Sequence, residues 1–254
     1  MKKILFIVIP LVLIFGGGYY YLGSKDTGTD VVEESEVMEE AAVLDEYIDL
    51  SPSEFYQFMV DDSDAVVLDV SPKFDEGRLP NAINHYVGDG SLDRAIPTLN
   101  KELTYLVYCH VDSASILGAQ KLVNAGFPRV YRLVDNYSAW VEAGFPIEVS
   151  INAVGDYVGD GSATMGFYND TFVHTLWTDL EDPPTGKFYE GWLVHPGTRD
   201  FFSTGELKSI EEGYILEYTS STDYRDYAEV VVTEETFDKG LDGVPEIHVL
   251  EGSF

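Results

Sequence analysis

One short stretch of the chain combines a thiol with polar side chains at a spacing that suits nucleophilic chemistry. Cys109, the single cysteine of the 254 residues, follows the apolar run 105–108 and precedes His110 and Asp112. The pattern predicts a buried strand, a polar loop over the next six residues and a helix from Ser115 to Ala125. Loop N–H groups and the positive helix end would meet at the sulfur and favour a thiolate. Cys109 is therefore a candidate nucleophile, with a small buried apolar residue as the alternative.

The elements that would position this thiol alternate between strands and helices. Ser51, Pro52 and Glu54 form a predicted capping box that starts the first helix. The predicted elements that follow are strand 65–70, strand 106–109, helix 115–125, strand 130–133 and helix 138–143. Such alternation predicts a mostly parallel sheet covered by helices on both faces. Asp69 ends a strand at the same edge as Cys109, where it would either support the loop or serve as a plain turn residue.

Motifs on both sides of Cys109 resemble those of rhodanese-like domains. Before the cysteine come 66–70 (VVLDV) and 74–84 (FDEGRLPNAIN), and after it 126–133 (GFPRVYRL) and 138–146 (SAWVEAGFP). The first two are similar to the family's strand, acidic turn and following segment, and the last two to its final strand and closing helix. The resemblance covers residues 46–150 and implies an α/β fold with a parallel sheet flanked by helices.

The resemblance also implies a sulfurtransferase reaction in which Cys109 becomes a persulfide. A sulfane-sulfur donor and a thiol acceptor would be the partners, with no cofactor. The implied substrate-binding loop consists of His110, Val111, Asp112, Ser113, Ala114 and Ser115. Many family members have arginines and a glycine in this loop, and here Asp112 places negative charge beside the thiolate instead. Thiosulfate is therefore expected to be a poor donor, which leaves a persulfide donor or a catalytically inert module.

A second enzyme class is excluded by spacing. Related folds hydrolyse phosphate esters with a cysteine, five residues and an arginine that clamps the phosphoryl oxygens. Five residues after Cys109 the chain has Ala114, followed by Ser115. The sequence therefore argues against a phosphatase of this kind.

Composition limits the partners of the protein. With 45 acidic and 15 basic residues the net charge is −30, which repels nucleic acid and anionic surfaces. One cysteine cannot form an internal disulfide. No metal site is predicted, because the histidines of the C-terminal half, His174, His195 and His248, lack metal-like spacing.

The N-terminus carries a membrane signal. Lys2 and Lys3 precede about 20 uncharged, mostly apolar residues that end near Gly23, enough to span roughly 30 Å. We expect residues 1–23 to form an uncleaved signal anchor with the N-terminus in the cytoplasm and the bulk of the chain outside it; a cleaved signal peptide is the alternative. Residues 24–45 are acidic, and this composition predicts an extended linker.

The last hundred residues have a different pattern. Short runs of period two predict strands at 172–177, 187–194, 214–218, 228–233 and 246–250, separated by turns rich in Gly, Pro, Asp and Ser. The prediction is an all-β sandwich over residues 152–254. Segments 189–194, 203–207 and 231–236, with 248–252, resemble the extracytoplasmic C-terminal domain of anti-sigma-K factors. No sigma factor is expected as a partner, since only Met1, Lys2 and Lys3 are predicted on the cytoplasmic side; an envelope protein partner is left open.

Overall fold

The structure of the protein is a computed structural model, which describes residues 46–254. The described residues lie within one compact unit. The predicted signal anchor at 1–23 and the acidic linker at 24–45 lie outside the described residues, so both stay predictions. Among the helices of residues 46–254, none is long and apolar enough to span a membrane.

The first half of the described chain builds a five-stranded parallel sheet. Its strands lie in the order β1-β5-β4-β2-β3, and every neighbouring pair is parallel. This confirms the predicted rhodanese-like architecture, although the short edge strands β1 and β3 were not predicted. In chain order the elements are β1 Ile48–Leu50, α1 Pro52–Asp61, β2 Val66–Asp69, β3 Ile83–Asn84, α2 Ser91–Ala95, β4 Tyr105–Tyr108, α3 Asp112–Asn124, β5 Val130–Leu133 and α4 Asn136–Glu142.

The predicted capping box starts helix α1. The side chain of Ser51 accepts a hydrogen bond from the backbone N–H of Glu54, whose carboxylate accepts one from the N–H of Ser51 at 2.8 Å. Pro52 occupies the first helical position, where a missing N–H costs nothing. Phe55 is the fully buried residue of this helix and packs edge-on against Trp140 of α4.

Alternation along β4 divides the interior of this half into two cores. Tyr105, Val107 and Cys109 belong to the core that also contains Ala119 and Leu122 of α3. Leu106 and Tyr108 belong to the core of α1 and α4. Because successive side chains of a strand point to opposite faces, Cys109 lies on the α3 side of the sheet.

The second half forms one antiparallel sheet of nine strands. The order is β10-β9-β13-β14-β6-β7-β8-β12-β11. The predicted strands are confirmed, and β6, β7, β10 and β11 were missed. Their bounds are β6 Ile147–Ala153, β7 Asp160–Tyr168, β8 Thr171–Thr178, β9 Lys187–Val194, β10 Phe201–Glu206, β11 Lys208–Ile210, β12 Gly213–Ser220, β13 Glu229–Thr236 and β14 Ile247–Ser253.

The predicted two-sheet sandwich needs correction, since these strands form a single continuous sheet. Tyr189 of β9 and Tyr214 of β12 are far apart in the strand order, yet their rings meet at 5.1 Å in one core. The sheet therefore curls on itself and buries its inner face. A continuous twisted sheet can enclose a core in this way without splitting into two layers.

The two sheets meet at a seam, which we define by Tyr56, Arg78, Glu148 and Tyr168. The guanidinium of Arg78 lies 2.7 Å from the Glu148 carboxylate, and the two residues also form an isolated antiparallel bridge. The hydroxyl of Tyr56 donates a hydrogen bond to that of Tyr168 at 2.7 Å. Strand β6 runs across the predicted boundary near residue 151.

Candidate functional site at the end of strand β4

Cys109 lies immediately after β4, as predicted, but it is buried. Its side chain is 1% exposed and packs in the core on the α3 side of the sheet. Burial raises the pKa of the Cys109 thiol, hydrogen bonds from the Val111 and His110 backbone lower it, and the carboxylates of Asp69 and Asp112 raise it. The net shift is upward. The expectation that the thiolate is favoured is therefore not met, because removal from water outweighs the amide hydrogen bonds.

The loop after Cys109 is shorter than predicted. Helix α3 begins at Asp112 instead of Ser115, with Val111 as its N-cap residue. The N–H groups of Ala114 and Ser115 consequently donate to the carbonyl of Val111, at 3.1 and 3.4 Å. These two groups serve the helix and not the sulfur, which corrects the idea that amides from His110 to Ser115 all converge on Cys109. Because the helix begins three residues earlier than predicted, these N–H groups belong to its first turn and are not free to bind the sulfur.

Asp112 is held by groups that sequence reasoning missed. Arg132 of β5 reaches it at 3.0 Å, and the side-chain amide of Asn136 donates to it at 3.4 Å. Arg132 also makes a two-pronged ion pair with Asp49, at 2.7 and 2.8 Å. The negative charge of Asp112 is therefore paired with the guanidinium of Arg132 on strand β5. Asp69 raises the pKa of Cys109 more than Asp112 does.

The remaining residues of the predicted loop have structural contacts or face solvent. Ser115 is fully buried, and its hydroxyl donates to the carbonyl of Asp112 at 2.9 Å. The side chain of Val111 is 56% exposed, Ser113 is exposed and Ala114 is half-buried. Of the predicted set, the backbone groups of His110 and Val111 are those that lower the pKa of the Cys109 thiol.

A second polar cluster lies on the opposite face of the sheet. Asp69 is fully buried, and its Oδ1 accepts a hydrogen bond from the N–H of Ser71 at 2.7 Å, which is the turn role considered for it. The His110 ring stacks on Tyr137 at 4.2 Å. Among the described residues, Oδ2 of Asp69 and Nε2 of His110 are buried without a hydrogen-bond partner. Burial raises the pKa of Asp69 and lowers that of His110, so both groups resist carrying charge there.

The closing helix attaches to the cysteine through its backbone. The N–H of Tyr137 donates to the carbonyl of Cys109 at 3.0 Å. Asp135 and Asn136, at the start of α4, have left-handed φ values of 57° and 59°. Asp and Asn are the non-glycine residues that tolerate this conformation best. The turn before α4 therefore forms without a glycine at either position.

Three residues of this region carried only weak sequence signals. Arg132 stands inside the apolar run of β5, and a charged residue in a buried strand suggests a buried partner. The segments that contain Tyr108 and Tyr137 do not mark either residue as part of a site, yet the hydroxyl of Tyr108 accepts a hydrogen bond from the N–H of Leu79 at 3.1 Å. Strand alternation indicates only the face on which each side chain lies, so these partners could not be assigned from the sequence.

Metal binding finds no support in the part of the chain that the structure describes. No group of three or more His, Cys, Asp or Glu residues there could hold a metal ion. His174 is buried, with Nδ1 at 2.8 Å from the carbonyl of Thr164, while His195 and His248 lie near the surface in separate contacts. The three histidines are not brought together.

Comparison with known proteins identifies the class of the first half. Residues 51–143 match the family model described as Rhodanese-like domain. This part of the chain is therefore a rhodanese-like domain, as its parallel sheet and Cys109 loop also indicate. The match leaves the C-terminal sheet uncovered, so its resemblance to anti-sigma-K factors stays a prediction.

Three solved structures that are similar to part of this chain have names that describe rhodanese-related or sulfur-transferring proteins. A rhodanese-related protein from Thermoplasma volcanium is 22% identical, with a TM-score of 0.36 over 40% of this chain and 97% of that one. A thiosulfate sulfurtransferase from Pseudomonas aeruginosa is 25% identical, with a TM-score of 0.36; the match covers 41% of this chain and 20% of that one. A polysulfide-sulfur transferase homodimer from Wolinella succinogenes is 23% identical, with a TM-score of 0.34; the match covers 39% of this chain and 76% of that one. A search of curated proteins finds no match.

Proposed function

We propose that the rhodanese-like domain is a sulfurtransferase that carries a sulfane sulfur on Cys109. The observation that carries this proposal is the position of the sulfur, directly after β4 and beside the backbone of His110 and Val111, whose N–H groups lower the pKa of the thiol. Donors fixed in this way stabilise negative charge on sulfur during the reaction. The family match over residues 51–143 supports the same chemistry.

The reaction proceeds by attack of the Cys109 thiolate on the outer sulfur of a donor R–S–SH. A bond forms between Cys109 Sγ and that sulfur while the bond between the two donor sulfurs breaks. The electron pair leaves with R–S⁻, and Cys109–S–SH remains. A thiol acceptor then removes the outer sulfur by the same exchange, which restores the cysteine without an oxidant or a cofactor. The buried thiol requires local opening of the short loop 109–111 to meet its donor.

A second candidate is a catalytically inert module that contacts other envelope proteins. Its supporting observation is the burial of Cys109, which is 1% exposed and has a raised thiol pKa. A buried thiol of this kind reacts slowly. The antiparallel sheet, with its resemblance to an extracytoplasmic domain, would then provide a second contact surface.

Mass spectrometry distinguishes the two candidates. The full chain is incubated with a low-molecular-weight persulfide or with thiosulfate, and the peptide containing Cys109 is examined for one added sulfur atom. We expect the addition with the persulfide, its removal by a free thiol, and none in Cys109→Ser. A folded protein that gains no sulfur from either donor would favour the inert module.

We further propose that residues 1–23 anchor the protein in the cell membrane, with the folded part outside the cytoplasm. The support is the lysine pair followed by a long apolar run. Intact-mass measurement of the protein extracted from membranes tests this proposal. A mature chain that begins near Gly23 would show cleavage and refute the anchor.

A further inference from the structure

Asp69 is a buried carboxyl group without an ion-pair partner in the described part of the chain. It is fully buried, its Oδ1 accepts the N–H of Ser71, and Oδ2 has no partner within hydrogen-bond geometry among residues 46–254. The nearby Tyr108 hydroxyl helps to lower the pKa of Asp69, but burial raises it more. Buried polar atoms are nearly always paired, because an unpaired one loses its hydration without compensation. Such an atom next to a candidate reactive group therefore points to a role in the chemistry there.

The topology places this carboxylate at the same edge of the sheet as the thiol. Strands β2 and β4 are parallel neighbours, and their register pairs Asp69 with Tyr108, the residue directly before Cys109. The N–H of Val70 also donates to the carbonyl of Tyr108 at 3.0 Å. Asp69 and Cys109 thus lie at the ends of adjacent strands, on opposite faces of the same sheet edge.

Asp112 differs from Asp69 in how its charge is compensated. It is paired with Arg132 at 3.0 Å, accepts a hydrogen bond from Asn136, and has a side chain that is 41% exposed. Water and the guanidinium both screen its field. The field of Asp69 reaches the sulfur through a protein interior that screens charge much less.

We propose that Asp69, and not Asp112, determines which sulfur donors Cys109 accepts, by disfavouring donors according to their negative charge. This inference rests on the proposed sulfurtransferase function and names its substrate class. Thiosulfate carries two negative charges, whereas a persulfide group carries at most one. The protein is accordingly a transferase for thiol-bound sulfane sulfur, with Asp69 as its specificity-determining residue.

His110 modulates this selection through its position next to Asp69. Protonation of the imidazole would place a positive charge against the carboxylate, so exclusion of anions weakens in acid. Burial lowers the pKa of His110 and the carboxylate of Asp69 opposes that shift, which confines the effect to the acidic side. The other titratable groups acting on Asp69, His110 or Cys109 are Tyr108, Tyr137, Lys73, Glu76 and Asp112.

Two alkylating reagents of nearly equal size measure the field at the sulfur. Iodoacetamide is neutral and iodoacetate is an anion, so the ratio of their rate constants cancels the thiolate fraction and loop opening. We expect Asp69→Asn in the full chain to raise the relative rate of iodoacetate several-fold at pH 7.5. The near-isosteric control Asp112→Asn should leave the ratio close to that of the wild type. An unchanged ratio in Asp69→Asn, or a larger change in Asp112→Asn, would overturn the proposal.

A titration that needs no reagent access provides a second measurement. Because the chain has one cysteine, protein labelled with ¹³C-cysteine gives a single Cβ signal whose shift follows thiol ionisation. Asp69→Asn should ionise at lower pH than the wild type, and Asp112→Asn should follow the wild type more closely. Equal titration curves for wild type and Asp69→Asn would also overturn the proposal. Neither measurement requires sulfur transfer, so a protein that never forms a persulfide would refute the proposed function separately.

Discussion

At the seam between the two sheets the guanidinium of Arg78 is bound by Glu148 and Ser150, whereas at the edge of the parallel sheet Asp69 and His110 each leave a buried atom unpaired among the described residues. Both places are buried and polar. The seam compensates its charge fully and serves to join the sheets. The edge beside Cys109 keeps uncompensated groups that cost stability, a pattern expected where a protein retains groups for chemistry.

The largest expected effect comes from breaking the ion pair of the seam. Arg78→Met leaves the Glu148 carboxylate buried without its cation, and we expect a loss of about 3 to 5 kcal/mol in the free energy of unfolding. Urea denaturation measures this loss. The double variant Arg78→Met/Glu148→Met should recover part of it, because no buried charge then remains. A loss below about 1 kcal/mol would mean that the pair is effectively solvent-exposed.

A buried histidine in the antiparallel sheet tests whether an unpaired atom alone implies chemistry. His174 also has a buried Nε2 without a partner in the described chain, but no carboxylate acts on it, and burial lowers its pKa to about 4. The unfolded state binds a proton near pH 6.5, so stability falls as the pH drops from about 6.5 to 4, by about 3 kcal/mol in all. Above pH 6.5 this contribution is constant.

The control for this prediction is His174→Gln, which cannot titrate in that range. Unfolding free energies of the two proteins are compared at pH 7, 5.5 and 4.5. The wild type should lose more stability than the variant over this interval. Equal losses would show that His174 is accessible to water. The alkylation ratio of Cys109 should be the same in both proteins.

Asp69→Asn is expected to stabilise the protein, in contrast to the variant at the seam. It removes a buried carboxylate whose pKa is raised by burial, and the amide oxygen can still accept the N–H of Ser71. We expect a gain of about 1 kcal/mol at pH 7. The raised pKa means that the folded state takes up the proton more readily, so the gain should shrink as the pH falls through that pKa. Thermal unfolding at pH 7 and 5 measures it, and a loss at pH 7 would indicate an unseen partner for Oδ2.

The smallest effect should come from Asp112→Asn. The pair with Arg132 is 41% exposed on the carboxylate side, and Arg132 keeps its two contacts with Asp49. Exposed ion pairs contribute little, so the expected loss is about 0.5 kcal/mol. Denaturation in low and high salt measures it. A loss similar to that of Arg78→Met would show that the pair of Asp112 with Arg132 contributes as much to stability as the buried ion pair of the seam.

The sequence by itself determined the local elements of this protein. The capping box at Ser51 and Glu54, the alternating strands and helices around Cys109, and the period-two strands after residue 171 all depend on neighbours within a few positions of the chain. Hydrophobic period and turn chemistry are short-range properties, and so they could be predicted. The position of Cys109 at the end of β4 could be predicted for the same reason.

Only the tertiary structure decided how the site is charged and how deeply it is buried. Arg132 meets Asp49 across 83 positions of sequence and takes up the charge of Asp112 as well, so the carboxylate that the sequence placed against the thiol is neutralised by another strand. The earlier start of α3 withdrew two of the expected amides from the sulfur. Packing of α3 on the sheet buried Cys109 and raised its pKa. These features depend on which distant segments pack together, and the local sequence pattern does not encode that information.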